Sequence, residues 1–399
     1  MSIRQLALAT LLIVMASARA SDHLDSPTTV ANPQADIGDI YAWVAPDGRR
    51  LNLIMTVQGH PFSDRIEYTL HVDSGPSFGQ TTASTSVVCR FASATQVRCA
   101  LGNLDVASGD PTATTGLVGR NHRLRVYAGL RDDPFYNNIK GLVAAYQTAS
   151  AAIGGGASVD EAGCAHFDER TAAEILSQMS HTDGGEARNF LYNWTVSALV
   201  VSVDLEAVTG GGKLLAVWGT TASAGKRIDR MARPFVANTL LGSSPFSTDD
   251  PSGVLRQKFN QAMPADSSTF VGDLRKSLAF QDSLDGKCGN QLLAGPKPTP
   301  LRYERLATIF SDDRLWVDSA SKVCSRFFAV ELAALDGGAT KTKDCGGRAP
   351  TYDTSNTWRS VVIAGTTDSV SDGLHQDEHP PSATEFPFLA APDPQGVNH

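Results

Sequence analysis

A histidine stands third in the segment Ser21-Asp22-His23, which follows a stretch typical of an export signal. If a peptidase cuts after Ala20, the new chain begins with a free amine, two amide nitrogens and an imidazole. A square-planar set of nitrogen ligands favours Cu²⁺ or Ni²⁺. In the structural alternative, His23 only packs against or caps the first element. The sequence therefore predicts a copper or nickel site at the processed N-terminus, provided that cleavage occurs at this bond.

An oxygen-rich metal site is a second interpretation of the same region. Asp25, Asp36 and Asp39 could bind a hard cation such as calcium, with His23 completing the site. Calcium takes roughly six to eight oxygen ligands. Aspartates at such positions also commonly accept hydrogen bonds from their own local backbone, which would make them turn residues instead. The sequence contains no twelve-residue calcium-binding loop, so this site would have to be assembled from separate ligands.

Two other groups of polar residues are interpreted as structural. His375 and His379 have the spacing of two ligands on one helical face, but two prolines follow at once, which favours a solvated loop. Asp132 and Asp133 are adjacent, and adjacent side chains do not share a helical face. Because a proline follows Asp133, this pair suits a turn before a helix.

The sequence offers little support for the common catalytic signatures. The G-x-S-x-G pattern of a serine nucleophile occurs once, at Gly75-Pro76-Ser77-Phe78-Gly79, but no helical pattern follows it as a strand-turn-helix elbow requires. The glycine run at 210–213 lacks the hydroxyl residue that follows the lysine of a phosphate-binding loop. The sequence therefore favours a non-enzymatic protein that binds a metal ion or a partner. The alternative is a metal-assisted hydrolase with its site near the mature N-terminus.

The first twenty residues have the three parts of a signal peptide. Arg4 is the positive residue, 6–15 are apolar, and Ala18-Arg19-Ala20 is a cleavage site. We therefore expect cleavage after Ala20 and a periplasmic or secreted protein. The apolar run is shorter than the roughly twenty residues that cross a bilayer, so we expect a soluble chain. With 42 acidic and 34 basic residues, its net charge of −8 disfavours binding to nucleic acid or anionic lipid.

Six cysteines in an exported chain predict three disulfides. Cys89 and Cys99 flank a strand-turn-strand pattern, which predicts that they cross-link a hairpin. Fifteen pairings of six cysteines are formally possible, and for the remaining four we expect Cys164 with Cys288 and Cys324 with Cys345. In the alternative, one of these pairs stays reduced or binds a metal.

Hydrophobic periodicity predicts an α+β fold with an antiparallel, β-sandwich-like core, helical insertions and a helix-rich second half. Predicted strands lie at 40–44, 51–58, 66–73, 124–130, 198–205, 214–219 and 358–363. One predicted helix runs from 135 to the glycine run at 154–156, and the others lie at 169–179, 228–241, 253–263, 270–280 and 303–310. The predicted organisation is a signal peptide (1–20), a β-rich core (21–222) with a helical insertion near 134–180, a helix-rich region (223–345), and a return strand with a proline-rich tail (346–399).

Several segments together carry a resemblance to a known family. They are 21–27, 36–43, 129–136, 217–221, 228–234 and 386–392. In these segments the chain resembles a bacterial exported family catalogued only as domain of unknown function 4331. It differs at Ala232, where glycine is expected, and at Phe388, where tyrosine is commoner. The resemblance implies export and a shared fold, and it implies no established activity or catalytic residues.

Overall fold

Two antiparallel sheets form the centre of the fold, which a computed structural model describes for residues 26–241, 252–335 and 343–396. The strands in chain order are β1 (Ile37–Val44), β2 (Arg50–Val57), β3 (Glu67–Gly75), β4 (Ala83–Ser93), β5 (Gln96–Leu101), β6 (Asp105–Gly109), β7 (Leu117–Val118), β8 (Leu124–Asp132), β9 (His181–Thr182), β10 (Gly185–Glu186), β11 (Thr195–Asp204), β12 (Leu214–Ser223), β13 (Lys226–Met231) and β14 (Leu315–Asp318). The α+β prediction with a sandwich-like core is confirmed.

Helices lie between and after the strands. They are α1 (Pro27–Ala31), α2 (Ile139–Gly154), α3 (Glu169–Met179), α4 (Val254–Gln261), α5 (Val271–Ser283), α6 (Glu304–Asp312), α7 (Ala329–Leu335) and α8 (Thr354–Ala364). The pair α2 and α3 forms the insertion between β8 and β11, while α5 packs against α6 and α8. The predicted helical insertion and the helices of the second half from 253 to 310 are therefore confirmed.

The order of the strands explains how distant segments meet. One sheet has the order β1-β2-β11-β8-β7. The other has the order β13-β12-β3-β4-β5-β6, and β14 pairs with β12 on the same side as β13. Within the first sheet, β8 and β11 pair over their whole lengths, so the polar residues that end β8 lie beside the start of β11.

The two sheets approach each other closely at Gly219 of β12. A Cβ atom at this position would collide with the Cδ1 of Ile40 in β1 and would lie 2.9 Å from the Cε of Met55 in β2. Every residue of β1 is buried, because one face packs on the other sheet and the second face is covered by later parts of the chain. The apolar strands of both sheets thus share one continuous core.

Two predicted elements of the second half were wrong. Residues 358–363 belong to helix α8, which Asp353 caps at its start and Gly365 ends in a left-handed conformation. The β-branched run Val361-Val362-Ile363 looks like a strand, but it is buried within the helix. The predicted helix at 228–241 is instead strand β13 followed by a short π-helical turn, Val236–Leu240. The tail still returns to the core, through an antiparallel bridge between Arg348 and Ala42.

Three disulfides brace this fold, and all three predicted pairs are confirmed. Cys89 and Cys99 face each other across β4 and β5. The other two pairs are Cys164–Cys288 and Cys324–Cys345. No helix among the described residues is long and apolar enough to cross a membrane.

Candidate metal centre

Asp132 lies at the point where β8 ends and the chain turns towards the helical insertion. Its backbone pairs with Thr195 at the start of β11, and its N–H donates to the carbonyl of Ala390 at 3.3 Å. The carboxyl group is buried, with the residue only 2 % exposed. A rigid strand and the C-terminal tail therefore hold this side chain from two sides.

The tail brings two more ligand groups to Asp132. Asp377 is buried, and its Oδ2 accepts the backbone N–H of His379 at 3.1 Å. The Nδ1 of His379 lies 3.2 Å from the Oδ1 of Asp132. Asp132, Asp377 and His379 each offer one ligand atom, and these atoms lie within 4.8 Å of one another. Because the His379 side chain is 39 % exposed, solvent reaches one side of the cluster.

Asn189 fixes the acidic side of the cluster. Its amide nitrogen donates to Asp377 Oδ1 at 3.1 Å and to Glu378 Oε2 at 2.8 Å. Its amide oxygen accepts the backbone N–H groups of Asn137 at 3.2 Å and Leu191 at 3.0 Å. Since all four bonds agree on the orientation of the amide, Asn189 acts as an outer partner that holds Asp377 in place.

The two acidic groups of the cluster are not paired with basic side chains in the described part of the chain. Among the residues described, neither Asp132 nor Asp377 forms an ion pair with Lys or Arg, and only His379 is a possible cationic neighbour. Burial raises the pKa of Asp132 to about 7, and the charges of Asp393 and Glu378 add to the effect. Burial and the charge of Asp132 raise the pKa of Asp377 to about 8. A bound cation would favour the ionised form of both groups.

Asp133 adds a further carboxyl group behind this cluster. It is 1 % exposed, and its Oδ1 accepts the N–H of Phe135 at 3.1 Å. Its Oδ2 has no hydrogen-bond partner in the described part of the chain. Burial, with the charge of Asp39 as the next cause, raises the pKa of Asp133 well above its ordinary value. Burial therefore favours the neutral form of this carboxyl group.

The residues predicted for metal binding from the N-terminal sequence have different positions. His23 and Asp25 lie outside the described residues, so the copper, nickel and calcium sites stay predictions. Asp36 is buried just before β1, and its carbonyl accepts the N–H of Gln58 at 3.1 Å. Asp39 forms a buried ion pair with Arg348. Arg348 thus already supplies a positive charge to one of the four predicted ligands.

The candidate centre consists of residues that the sequence analysis interpreted as structural. The sequence pattern predicts a turn at Asp132 and a solvated loop at His379, and it does not distinguish Asp377 from the other aspartates of the chain. His375, the proposed partner of His379, instead faces Asp353, with its Nδ1 3.5 Å from the Asp353 Oδ2. The side chains of the two histidines therefore contact different residues. That of His379 contacts Asp132, which is 247 residues away in the chain. The only signal in the sequence was the presence of acidic and imidazole groups in two separate segments.

A second group of possible ligands is already engaged. Asp160, His166 and Cys288 also have ligand atoms within 4.8 Å of one another. However, Cys288 is bonded to Cys164, and Asp160 forms an ion pair with Arg302 at 2.8 Å. A disulfide sulfur is not a thiolate ligand, so this group does not form a metal centre while the bond is intact.

No family model matches the chain, and neither the curated proteins nor the solved structures include a match for it.

Proposed function

We propose that this chain is an exported, disulfide-braced protein that binds one divalent transition-metal ion through Asp132, Asp377 and His379. The observation that carries the proposal is the convergence of two buried carboxyl groups and one imidazole within 4.8 Å, from segments far apart in the chain. Aspartates that only accept hydrogen bonds from their own local backbone do not need to lie close to other acidic or imidazole groups. The ligands of a metal ion do.

The charge balance supports a cation as the ligand. Burial raises the pKa values of both Asp132 and Asp377, and the charge of Asp132 raises the pKa of Asp377 further. A divalent ion would offset both charges at once. Asn189 supplies the kind of outer hydrogen bonds that orient metal-binding carboxylates.

The mixed donor set supports a transition metal over calcium or magnesium. Imidazole nitrogen suits zinc and its neighbours, while calcium and magnesium prefer oxygen ligands only. Two carboxylates and one histidine match the ligands that zinc takes in proteins, with a further position left for water. We therefore expect Zn²⁺ or Mn²⁺ to bind more tightly than Ca²⁺.

The proposed location is the periplasm or the extracellular medium. Three disulfides suit an oxidising compartment. The signal-like first twenty residues and the resemblance to an exported family favour the same location. The proposed role is binding, because the G-x-S-x-G match at residues 75–79 lies between strands β3 and β4 and not before a helix, and the Ser77 Oγ donates to Gln80 Oε1 at 3.1 Å. The alternative metal-assisted hydrolase stays a prediction, since His23 and Asp25, two of its residues, lie outside the described part.

Metal titration of the exported protein tests the proposal. The purified protein is stripped with a chelator and titrated with Zn²⁺, Mn²⁺, Ca²⁺ and Mg²⁺ by calorimetry, and native mass spectrometry counts the bound ions. We expect one equivalent of Zn²⁺ or Mn²⁺. Replacing one ligand, in Asp377→Asn or His379→Gln, should weaken binding by about tenfold or more.

Two further variants distinguish metal binding at this site from metal binding elsewhere in the chain. His375→Gln changes an exposed histidine four residues from His379 and should bind the metal like the wild type. His23→Gln should affect only copper or nickel, if the processed N-terminus binds them. The proposal is wrong if neither Zn²⁺ nor Mn²⁺ binds, or if both ligand variants keep the wild-type affinity while they remain folded.

A further inference from the structure

A cavity of about 420 Å³ opens on the outer face of the second sheet, among different strands from those that hold the candidate metal centre. His71 and Asp73 of β3 and Trp218 of β12 form its floor, because these residues alternate with core-facing ones along their strands. Residues 263–265 close one side, and Arg314 closes another. The volume lies within the roughly 300–1,000 Å³ range of small-molecule sites.

The floor of the cavity is rigid. The rings of His71 and Trp218 are stacked, with their centroids 3.9 Å apart and their planes 14° from parallel. The Nε2 of His71 lies 2.9 Å from the hydroxyl of Thr220, and the indole N–H of Trp218 donates to Asp73 Oδ2 at 3.0 Å. Every one of these side chains is therefore held by a neighbour before any ligand arrives.

The charged groups of the cavity compensate each other. Arg314 Nη1 donates to Asp73 Oδ2 at 3.2 Å, and Arg314 also pairs with Asp312 at 2.8 Å. One guanidinium offsets only one of these two carboxylates, and the guanidinium of Arg227, 5.8 Å from the centroid of the Trp218 ring, supplies the second positive charge. Burial lowers the pKa of His71 to about 4, so this ring is neutral near pH 7. A cation would meet a carboxylate that Arg314 already neutralises, and an anion would meet a guanidinium that carries two carboxylates. The cavity therefore suits a neutral ligand.

Hydrogen-bonding capacity remains in the lining. Asp73 Oδ1 accepts no hydrogen bond from a described residue, and the hydroxyl of Ser84, on the neighbouring strand β4, is exposed without such a partner. Met263 and the residues that follow it offer an apolar surface on another side. A rigid cavity with compensated charges, free hydroxyl-binding groups and an apolar wall matches the two surfaces of a sugar ring, its hydroxyl groups and its C–H face.

We propose that this cavity binds a neutral polyhydroxylated ligand of the size of a mono- or disaccharide, with Asp73 and Ser84 receiving its hydroxyl groups. The charged Asp73 would accept the strongest of these hydrogen bonds. The proposal is independent of metal binding, since the two sites share no residue.

Ligand-detected NMR tests the proposal on the purified full chain. Glucose, N-acetylglucosamine, maltose and mannitol are screened by saturation-transfer difference, and hits are titrated by calorimetry. We expect saturable binding of at least one neutral sugar and weaker binding of its phosphorylated form. Asp73→Asn should reduce the affinity by about tenfold or more, which is the effect of losing a hydrogen bond to a charged group.

Controls make the result specific to the cavity. Asp64→Asn alters an exposed aspartate elsewhere and should leave the affinity unchanged, and His379→Gln should also bind the sugar normally. Because Asp73 bonds to both Trp218 and Arg314, its variant could lose the fold. Ser84→Ala removes an exposed hydroxyl and provides the second test. The proposal is overturned if no neutral sugar binds, if the phosphorylated form binds more tightly, or if folded Asp73 and Ser84 variants bind like the wild type.

Discussion

Asp282 shows how one buried carboxyl group makes the stability of this fold depend on pH. It lies in α5, is fully buried, and accepts hydrogen bonds from the Tyr303 hydroxyl at 2.6 Å and the Gln291 N–H at 2.7 Å. Burial nevertheless dominates and raises the pKa of Asp282 to about 6. The folded protein therefore holds this proton more tightly than the unfolded chain does.

The sign of the pH effect follows from that difference. Between about pH 4 and pH 6 the folded state binds more protons than the unfolded state at this residue, so Asp282 stabilises less as the pH rises. A shift of about two pKa units corresponds to at most about 3 kcal/mol. Asp282→Asn cannot titrate. We expect the difference in free energy of unfolding between wild type and variant to fall by up to that amount from pH 4 to pH 6.5.

Urea unfolding at a series of pH values measures this difference. The slope with pH is the relevant quantity, because the new amide also faces backbone N–H donors and lowers stability at every pH. Asp368→Asn, at an exposed position, should follow the wild type throughout. A constant difference between wild type and Asp282→Asn across this pH range would show that Asp282 does not titrate as described.

At the scale of elements, one solvent-facing side made a helix predictable. Helix α3 (Glu169–Met179) has the bounds predicted, because it buries only Ala172, Ile175 and Met179 and leaves its other residues exposed or half-buried. In α8, by contrast, nine of the eleven residues are buried, so its sequence carries no helical period. Its β-branched residues then favoured a strand. Burial on all sides removes the signal that distinguishes a helix from a strand.

Gly219 tests the packing between the two sheets. Because an added methyl group would collide with Ile40, Gly219→Ala should force the sheets apart or push Ile40 out of its rotamer. We expect a loss of about 1–3 kcal/mol in the free energy of unfolding, the usual cost of overpacking a core. Thermal and urea unfolding of the variant measure it.

Gly272 provides the matched control for this substitution. It lies in α5 (Val271–Ser283), and no atom lies within 4 Å of an added Cβ. Gly272→Ala should leave the stability unchanged or raise it by up to about 1 kcal/mol, because alanine favours a helix. If both variants had the same effect, the close contact between the sheets at Gly219 would not matter for stability.

At the scale of the whole molecule, long-range pairing is what the sequence could not reveal. Asp132 and His379 are 247 residues apart, and Asp39 and Arg348 are 309 apart. No pattern in the neighbouring sequence distinguishes any of these residues. Each becomes part of a buried cluster only because the C-terminal segment packs back against the sheets. The sheet core was predictable because strand periodicity is local. The candidate metal centre was not predictable, because contacts between residues far apart in the chain do not affect the local spacing of residue types.

The disulfides differ in how much of the molecule they enclose, and this difference makes a final prediction. Cys89 and Cys99 are 10 residues apart, whereas Cys164 and Cys288 are 124 apart. Chain entropy gives roughly 3 kcal/mol for the shorter loop and roughly 5 kcal/mol for the longer one. We therefore expect the Cys164→Ala/Cys288→Ala double variant to lose about 2 kcal/mol more stability than the Cys89→Ala/Cys99→Ala variant.

Urea unfolding of both double variants under oxidising conditions measures this order. The comparison has a local reason as well as an entropic one. The short disulfide joins two strands that already pair by backbone hydrogen bonds, so the hairpin keeps its register without it. The long disulfide joins the segment before α3 to the segment after α5, which strand pairing does not connect. Equal losses, or a larger loss for the hairpin pair, would mean that native-state packing around the sulfurs, and not the enclosed loop, sets the contribution of each bond.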